Sequence, residues 1–460
     1  MAIADVAIIG AGAVGCAMAR RFALEGAKVL VLERGADLLS GASKANSAIL
    51  HTGFDAPTGS LEHACVQAGY AEYMAIRDGL NLPVLETGAM VVAWSAAEQA
   101  ALDGVEAQAL ANGVEDVRRL SAAEIRAREP HLGHGAREAL LVPREHVIDP
   151  WSPFLAYLLQ AKALGAEILF GGDVASARFE GEQWALQTPR GRRRARVVIN
   201  CAGLYGDLVD RRLLGASAFE IRPRKGQFVV FDKAAASLLR TIVLPVPTER
   251  TKGVVLCRTA FGNVLVGPTA EEQQDRDGAA TDEAAPRALI ARAVEMLPAL
   301  EGMPVTATYA GLRPATEEKG YRIAATPDRN WITVGGIRST GMTAALGIAR
   351  HVYGLYEGMG RSHAPAAAPE IEPMPNLAEH RPRDWSEAGH GGVVCHCELV
   401  TRREIERALT GPLPAGDFGG LRRRTRCAMG RCQGFHCLAR LAALTEGRFS
   451  APLATPPEAA

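Results

Sequence analysis

Nine cysteines lie unevenly along this 460-residue chain. Cys16, Cys65, Cys201 and Cys257 are scattered, whereas Cys395, Cys397, Cys427, Cys432 and Cys437 crowd the C-terminal part. Cys395-His396-Cys397 is CxC, and Cys432-Gln433-Gly434-Phe435-His436-Cys437 is CxxxxC. In a reducing compartment such a crowd points to a metal or cluster site before disulfides. Cys395, Cys397, Cys432 and Cys437 suit a 2Fe–2S cluster, because soft thiolates match iron and four are needed to complete both irons. A structural zinc site also uses four cysteines, usually in CxxC-type knuckles, and is the alternative.

A second chemical signature opens the chain. Gly10-Ala11-Gly12-Ala13-Val14-Gly15 is GxGxxG. It follows the apolar run Asp5–Ile9, opens a helix from about Val14 to Glu25, and precedes the strand Lys28–Glu33. That context makes it a dinucleotide fingerprint. Gly10 permits the tight turn, Gly12 lets the backbone approach a pyrophosphate, and Gly15 lets the helix pack on the sheet. The helix N-terminus, with Ala13 and Val14, faces the phosphates. Glu33, followed by Arg34, ends the second strand and accepts hydrogen bonds from the adenosine ribose.

The elements around these signatures must hold two sites. The chain is long enough for two or three domains. Its 48% apolar content excludes disorder for most of its length. With 51 basic and 51 acidic residues there is no global attraction to nucleic acid or anionic lipid. No basic leader precedes the first apolar run, and no stretch suits a membrane span. The expectation is a cytoplasmic protein, peripheral to a membrane only through partners.

Residues 97–130 read as helical, Pro153–Leu164 as a helix, Glu167–Phe170 and Arg196–Asn200 as strands. Gln227–Phe231, Val254–Cys257 and Val264–Val266 alternate like an antiparallel sheet. Trp331–Val334 is a strand, and a helix starts near Gly341. A Pro/Ala-rich linker follows. Arg190–Arg196 reads as a solvated turn. Arg422–Arg426 reads as a solvated face, or as a patch tuning the cluster or docking an acidic electron acceptor.

Four segments resemble the flavin-dependent family that includes D-amino-acid oxidase and glycerol-3-phosphate dehydrogenase. They are the fingerprint; Ser43–Gly53, with Ser43, Asn46, Ser47 and His51; Asn200–Tyr205, with Ala202 and Gly203; and Ala310–Pro314 with Gly336–Thr343. The resemblance implies FAD, held also by Gly311, Arg338, Ser339, Thr340, Gly341, Met342 and Thr343. Leu244–Pro247 and Gly262–Ala270 resemble anaerobic glycerol-3-phosphate dehydrogenases and 2-hydroxyglutarate oxidases, and Gly53–Leu61 leans toward the latter. Residues 423–434 resemble the bacterioferritin-associated-ferredoxin-like domain. There Cys427 stands where relatives carry a small residue, so it is expected to be an extra thiol. His436 replaces a common glycine.

The fold this implies is α/β. A discontinuous Rossmann-type FAD-binding domain (1–85, 145–218, 308–360) is interleaved with an antiparallel-sheet substrate domain (86–144, 219–307). A linker (361–392) and an α-rich 2Fe–2S module (393–450) follow. The expected activity is oxidation of a small anionic hydroxy substrate, with hydride passing to the flavin and electrons leaving singly through the cluster to an acceptor protein or quinone-linked partner. His51 is the candidate base, or else a flavin contact. Arg313 is the candidate grip on phosphate or carboxylate, with Arg338 and Lys252 behind it. A 2-hydroxyacid dehydrogenase, an amino-acid or opine dehydrogenase, and an electron-transfer subunit are the alternatives.

Overall fold

The computed structural model describes residues 3–247, 253–451 and 453; Lys252 lies outside them. Ala4–Ile9 forms a strand whose last four residues are all buried. Burial without alternation is what a parallel strand covered on both faces requires. It pairs in parallel with Val29–Glu33 on one side and Gly191–Asn200 on the other. Glu167–Phe170 extends the first flank and Trp331–Gly335 the second, both parallel. Ser176–Phe179, Trp184–Thr188 and Arg322–Thr326 add antiparallel strands, completing eight among the described residues.

Arg190–Arg196 departs from its expected solvated turn. Only the hairpin tip turns; Gly191–Asn200 is one strand. Its arginines meet carboxylates across the sheet, Arg192 with Glu180 at 2.7 Å and Arg196 with Asp5 at 3.4 Å.

Small residues set the helix packing. A Cβ on Gly69 would lie 2.0 Å from the Thr343 carbonyl, and one on Gly347 2.1 Å from that of Cys65. The helices Leu61–Ile76 and Gly341–Gly358 therefore touch backbone to backbone.

Among the described residues the second sheet has nine strands, with Glu271–Glu272 at one edge. Ile221–Phe231 and Val305–Thr316 pair antiparallel over almost their whole lengths. Val264–Gly267, Val255–Arg258 and Ile242–Pro245 follow, then Ala89–Ala93, Glu138–Val142 and Arg118–Ser121. The stretch 97–130 is not one helix. Ala96–Ala111 ends at Asn112-Gly113, Arg118–Ser121 pairs with Glu138–Val142, and Ser121 caps a short helix, Ala122–Arg128. The helical composition of that strand yields to sheet pairing, with Leu120 the one buried side chain of the four.

After Gly358 the chain runs over the body. The Ala366 amide donates to Leu24 O, that of Met374 to Leu80 O, and that of Glu379 to Ala260 O. The C-terminal module holds a hairpin, Val393–Cys395 with Val400–Thr401, and helices Arg402–Thr410, Phe418–Thr425 and Leu438–Leu444. Among the described residues no helix is long and apolar enough to cross a membrane.

Candidate active site and cluster site

The carboxyl ends of the parallel strands open into a cavity of about 1620 Å³. The glycine turn forms one end. Gly10 has φ +106°, and a Cβ there would lie 2.6 Å from the Cys201 carbonyl. A Cβ on Gly15 would lie 1.9 Å from Gly10 O. Gly15 is thus the contact between helix and turn, while Gly10, Gly12, Ala13 and Val14 line the cavity. Glu33 is held at the wall by the amides of Ala11 and Gly35, each 2.7 Å away. Ser43 Oγ accepts from the Ala13 amide at 3.0 Å, bringing the segment 43–47 over the helix start.

Ser43, Asn46, Ser47 and His51 line the cavity, as do Ala202, Gly203, Gly311, Arg338, Ser339, Gly341 and Met342. Two expected flavin contacts are set back from the wall. Thr340 donates to Glu62 at 2.7 Å and bonds Tyr321 at 2.6 Å; Thr343 Oγ1 accepts from the His51 amide at 3.0 Å. Arg34 stacks over the Tyr205 ring at 3.8 Å and pairs with Asp277 at 3.5 Å. Tyr205 ends the expected segment Asn200–Tyr205, but nothing in the sequence pointed to Asp277, and only the crossing of distant loops brings the two together.

A short sheet builds the reactive side. Ile49–Leu50 pairs antiparallel with His146–Ile148, Leu50 opposite His146. The next residues outward, His51 and Glu145, must then face each other. His51 Nδ1 lies 2.8 Å from Glu145 Oε2. The Glu145 side chain is fully buried and accepts at Oε1 from the Thr52 amide (2.5 Å) and hydroxyl (2.8 Å). This carboxylate fixes the imidazole tautomer with the proton on Nδ1 and the lone pair on Nε2. Glu145 escaped sequence reading; an acidic residue beside an apolar strand pair was its only trace.

Arg313 enters from the second sheet. Arg224 stands opposite it and Gly226 opposite Gly311. A Cβ on Gly226 would meet Arg313 Nη2 at 2.6 Å, so the glycine makes room for the guanidinium. Arg313 donates to Thr269 O at 3.2 Å. Burial pulls its pKa down to about 10, with Arg224 and Arg338 adding repulsion. It stays a cation at neutral pH in a wall that favours anions.

In the module the thiols approach two by two. Cys397 lies within hydrogen-bonding reach of Cys432, and Cys395 of Cys437. Among the described residues no three His, Cys, Asp or Glu side chains converge on one metal-ion position. Four thiols in this arrangement supply the four sulfur ligands that a 2Fe–2S cluster needs. Cys427 is fully buried, and burial pushes its thiol up to about 12.

The expected solvated face at Arg422–Arg426 is overturned. Arg424 pairs with buried Asp37 at 2.5 Å, and Arg426 pairs with buried Glu398 at 2.9 Å while stacking over Phe261 at 3.9 Å. Arg424 and Arg426 join the module to the body.

Residues 5–355 match the FAD-dependent oxidoreductase family, and residues 393–446 match the BFD-like [2Fe-2S] binding domain. The chain is 29% identical over 448 residues to a glycerol 3-phosphate dehydrogenase of Caloramator mitchellensis, covering 95% of this chain and 92% of the relative. It is 28% identical over 279 residues to an L-2-hydroxyglutarate dehydrogenase of Indibacter alkaliphilus, covering 60% of this chain and 69% of the relative. A solved L-alpha-glycerophosphate oxidase from Mycoplasma pneumoniae with FAD bound superposes with TM-score 0.75 and 26% identity, covering 82% of this chain and all of that one. The glycine cradle, the cavity and the paired thiols accommodate both groups, and the chain belongs to the FAD-dependent oxidoreductase family, with FAD and a 2Fe–2S cluster as its cofactors.

Proposed function

We propose that the chain oxidises glycerol 3-phosphate, or a close anionic secondary alcohol, and passes the electrons through its cluster to an external acceptor. The observation that carries the reading is one cavity lined by both the Glu145-oriented His51 and the half-buried Arg313. His51 Nε2 takes the hydroxyl proton as the C–H bond breaks, and Glu145 stabilises the imidazolium that forms. Arg313, with Arg338, holds the substrate anion and fixes which carbon faces the base. Bound FAD supplies the hydride acceptor.

Glycerol 3-phosphate comes first because the matching relative spans 95% of the chain, cluster module included. A 2-hydroxyglutarate-like acid is second, favoured by relatives that span 60%.

Internal electron transfer is supported by an aromatic contact between the two sites. Trp151 Nε1 donates to Lys44 O in the cavity-lining segment at 3.2 Å. Its ring stacks on Phe261 at 5.5 Å and 15°, and Phe261 carries Arg426 of the module.

The test is anaerobic. Glycerol 3-phosphate should bleach the flavin absorbance and then raise the EPR signal of a reduced cluster. Bleaching by 2-hydroxyglutarate alone moves the assignment to the second reading. Bleaching by neither, with FAD bound, ends both.

A further inference from the structure

The helix Phe418–Thr425 lies against residues 36–38, the loop that follows the ribose-end carboxylate Glu33. Gly416 and Gly420 leave the space: a Cβ on Gly416 would sit 1.8 Å from Ala36 O, and one on Gly420 1.7 Å from Asp37 Oδ2. Arg424 meets Asp37 with two bonds, 2.5 Å to Oδ2 and 2.8 Å to Oδ1. The Gly416 amide donates to Oδ2 at 3.1 Å, and Arg423 Nη2 to Leu38 O at 2.9 Å. The Asp37 side chain is fully buried and that of Arg424 is 6% exposed.

The bonds continue inward. Ser40 Oγ donates to Asp37 O at 2.6 Å, and the Leu39 amide to Ala11 O at 2.9 Å. Ala11 sits between Gly10 and Gly12, and its own amide donates to Glu33. An unbroken path of hydrogen bonds and backbone thus leads from the cluster module to the glycine turn and the ribose-end carboxylate.

We infer that the Arg424–Asp37 pair couples the two cofactors: the assembled cluster module braces the loop 34–40, and FAD binds more tightly when the cluster is in place. Cysteine-bound centres order the chain that holds them, so losing the cluster loosens the module and its helix. Arg424 then leaves Asp37 buried without its cation, and the loop gives way. Linkage makes the effect reciprocal, so bound FAD also favours the assembled module. The inference needs both cofactors bound but not the substrate assignment above.

The experiment measures FAD release by the recovery of free-flavin fluorescence on dilution. Wild-type holoprotein is compared with the same protein after anaerobic iron chelation, and Asp37→Asn is treated identically. Chelation should weaken FAD binding in the wild type by roughly 5- to 150-fold, the usual span of a coupling between sites. Asp37→Asn should weaken FAD binding before chelation and show little further loss after it. If Asp37→Asn does not fold, Arg424→Lys, which keeps the charge but loses the two-bond geometry, takes its place. Unchanged FAD affinity on chelating the wild type overturns the inference. So does an equal loss in wild type and variant, which would put the effect of the cluster outside this pair.

Discussion

At the residue scale, the proposed roles of the half-buried Arg313 guanidinium and the oriented His51 imidazole can be tested separately. Truncating Arg313 to alanine removes a desolvated cation from a wall that also carries Arg338. The KM for an anionic substrate should rise at least thirtyfold, about 2 kcal/mol, the lower end of what losing a buried charge partner costs. Arg313→Lys gives the pH test. Burial disfavours the charged form, and lysine starts from roughly 10.4, well below arginine. The same burial that brings Arg313 down to about 10 carries a lysine toward neutrality. In Arg313→Lys the KM should therefore climb as pH rises through the physiological range, while the wild-type KM stays level. Glu145→Gln removes the negative charge behind His51 and keeps the shape. Flavin reduction under argon should slow by roughly tenfold to hundredfold, up to the lower end of what acid–base catalysis supplies. Unchanged flavin reduction in that variant would remove the His51–Glu145 pair from the mechanism.

Secondary elements carry the next set of constraints. Gly15 is needed by the helix–strand contact, because the Gly10 carbonyl lies 1.9 Å from where its Cβ would sit and both are backbone-fixed. Gly15→Ala should cost about 1–3 kcal/mol through overpacking and lower the FAD content of the purified protein. Thermal unfolding and the flavin-to-protein absorbance ratio check it. Register does comparable work in the short sheet: shifting Ile49–Leu50 by one residue would turn His51 away from Glu145. The stretch 97–130 shows the converse. Its alanines and charges favour a helix, yet the pairing of Arg118–Ser121 with Glu138–Val142 takes four residues into the sheet.

Across the whole molecule, the module is a docked part. Besides Asp37–Arg424, Arg431 pairs with Asp232 at 2.7 Å, and Gln433 donates to Thr306 O at 3.1 Å. Cutting the chain within 361–392 by limited proteolysis should therefore leave both fragments co-eluting in gel filtration. Separate elution would show that the linker holds the module in place. Cys432→Ser probes the other end of the electron path. It should abolish the cluster absorbance, leave substrate bleaching of the FAD that stays bound within about tenfold, the equivalent of 1.36 kcal/mol in the barrier, and depress turnover with one-electron acceptors.

Much of this was legible from the chain alone. The glycine fingerprint and the CxC and CxxxxC spacings are local, because a turn beside a phosphate and thiols on adjacent loops are demands on neighbouring residues. They disclose the two cofactors before any fold is known, and the resemblance of four short segments names the flavin. What brings His51 to Glu145, Trp151 to Phe261 and Arg424 to Asp37 is not local. Those partners lie 94, 110 and 387 positions apart. A carboxylate on the surface and one buried against a guanidinium read the same in a sequence, so Arg422–Arg426 suggested a solvated face until tertiary packing turned it inward. Cofactor chemistry was written in short spacings; the orientation of His51, the place of Arg313 and the seat of the cluster module were decided by how distant strands and loops exclude water together.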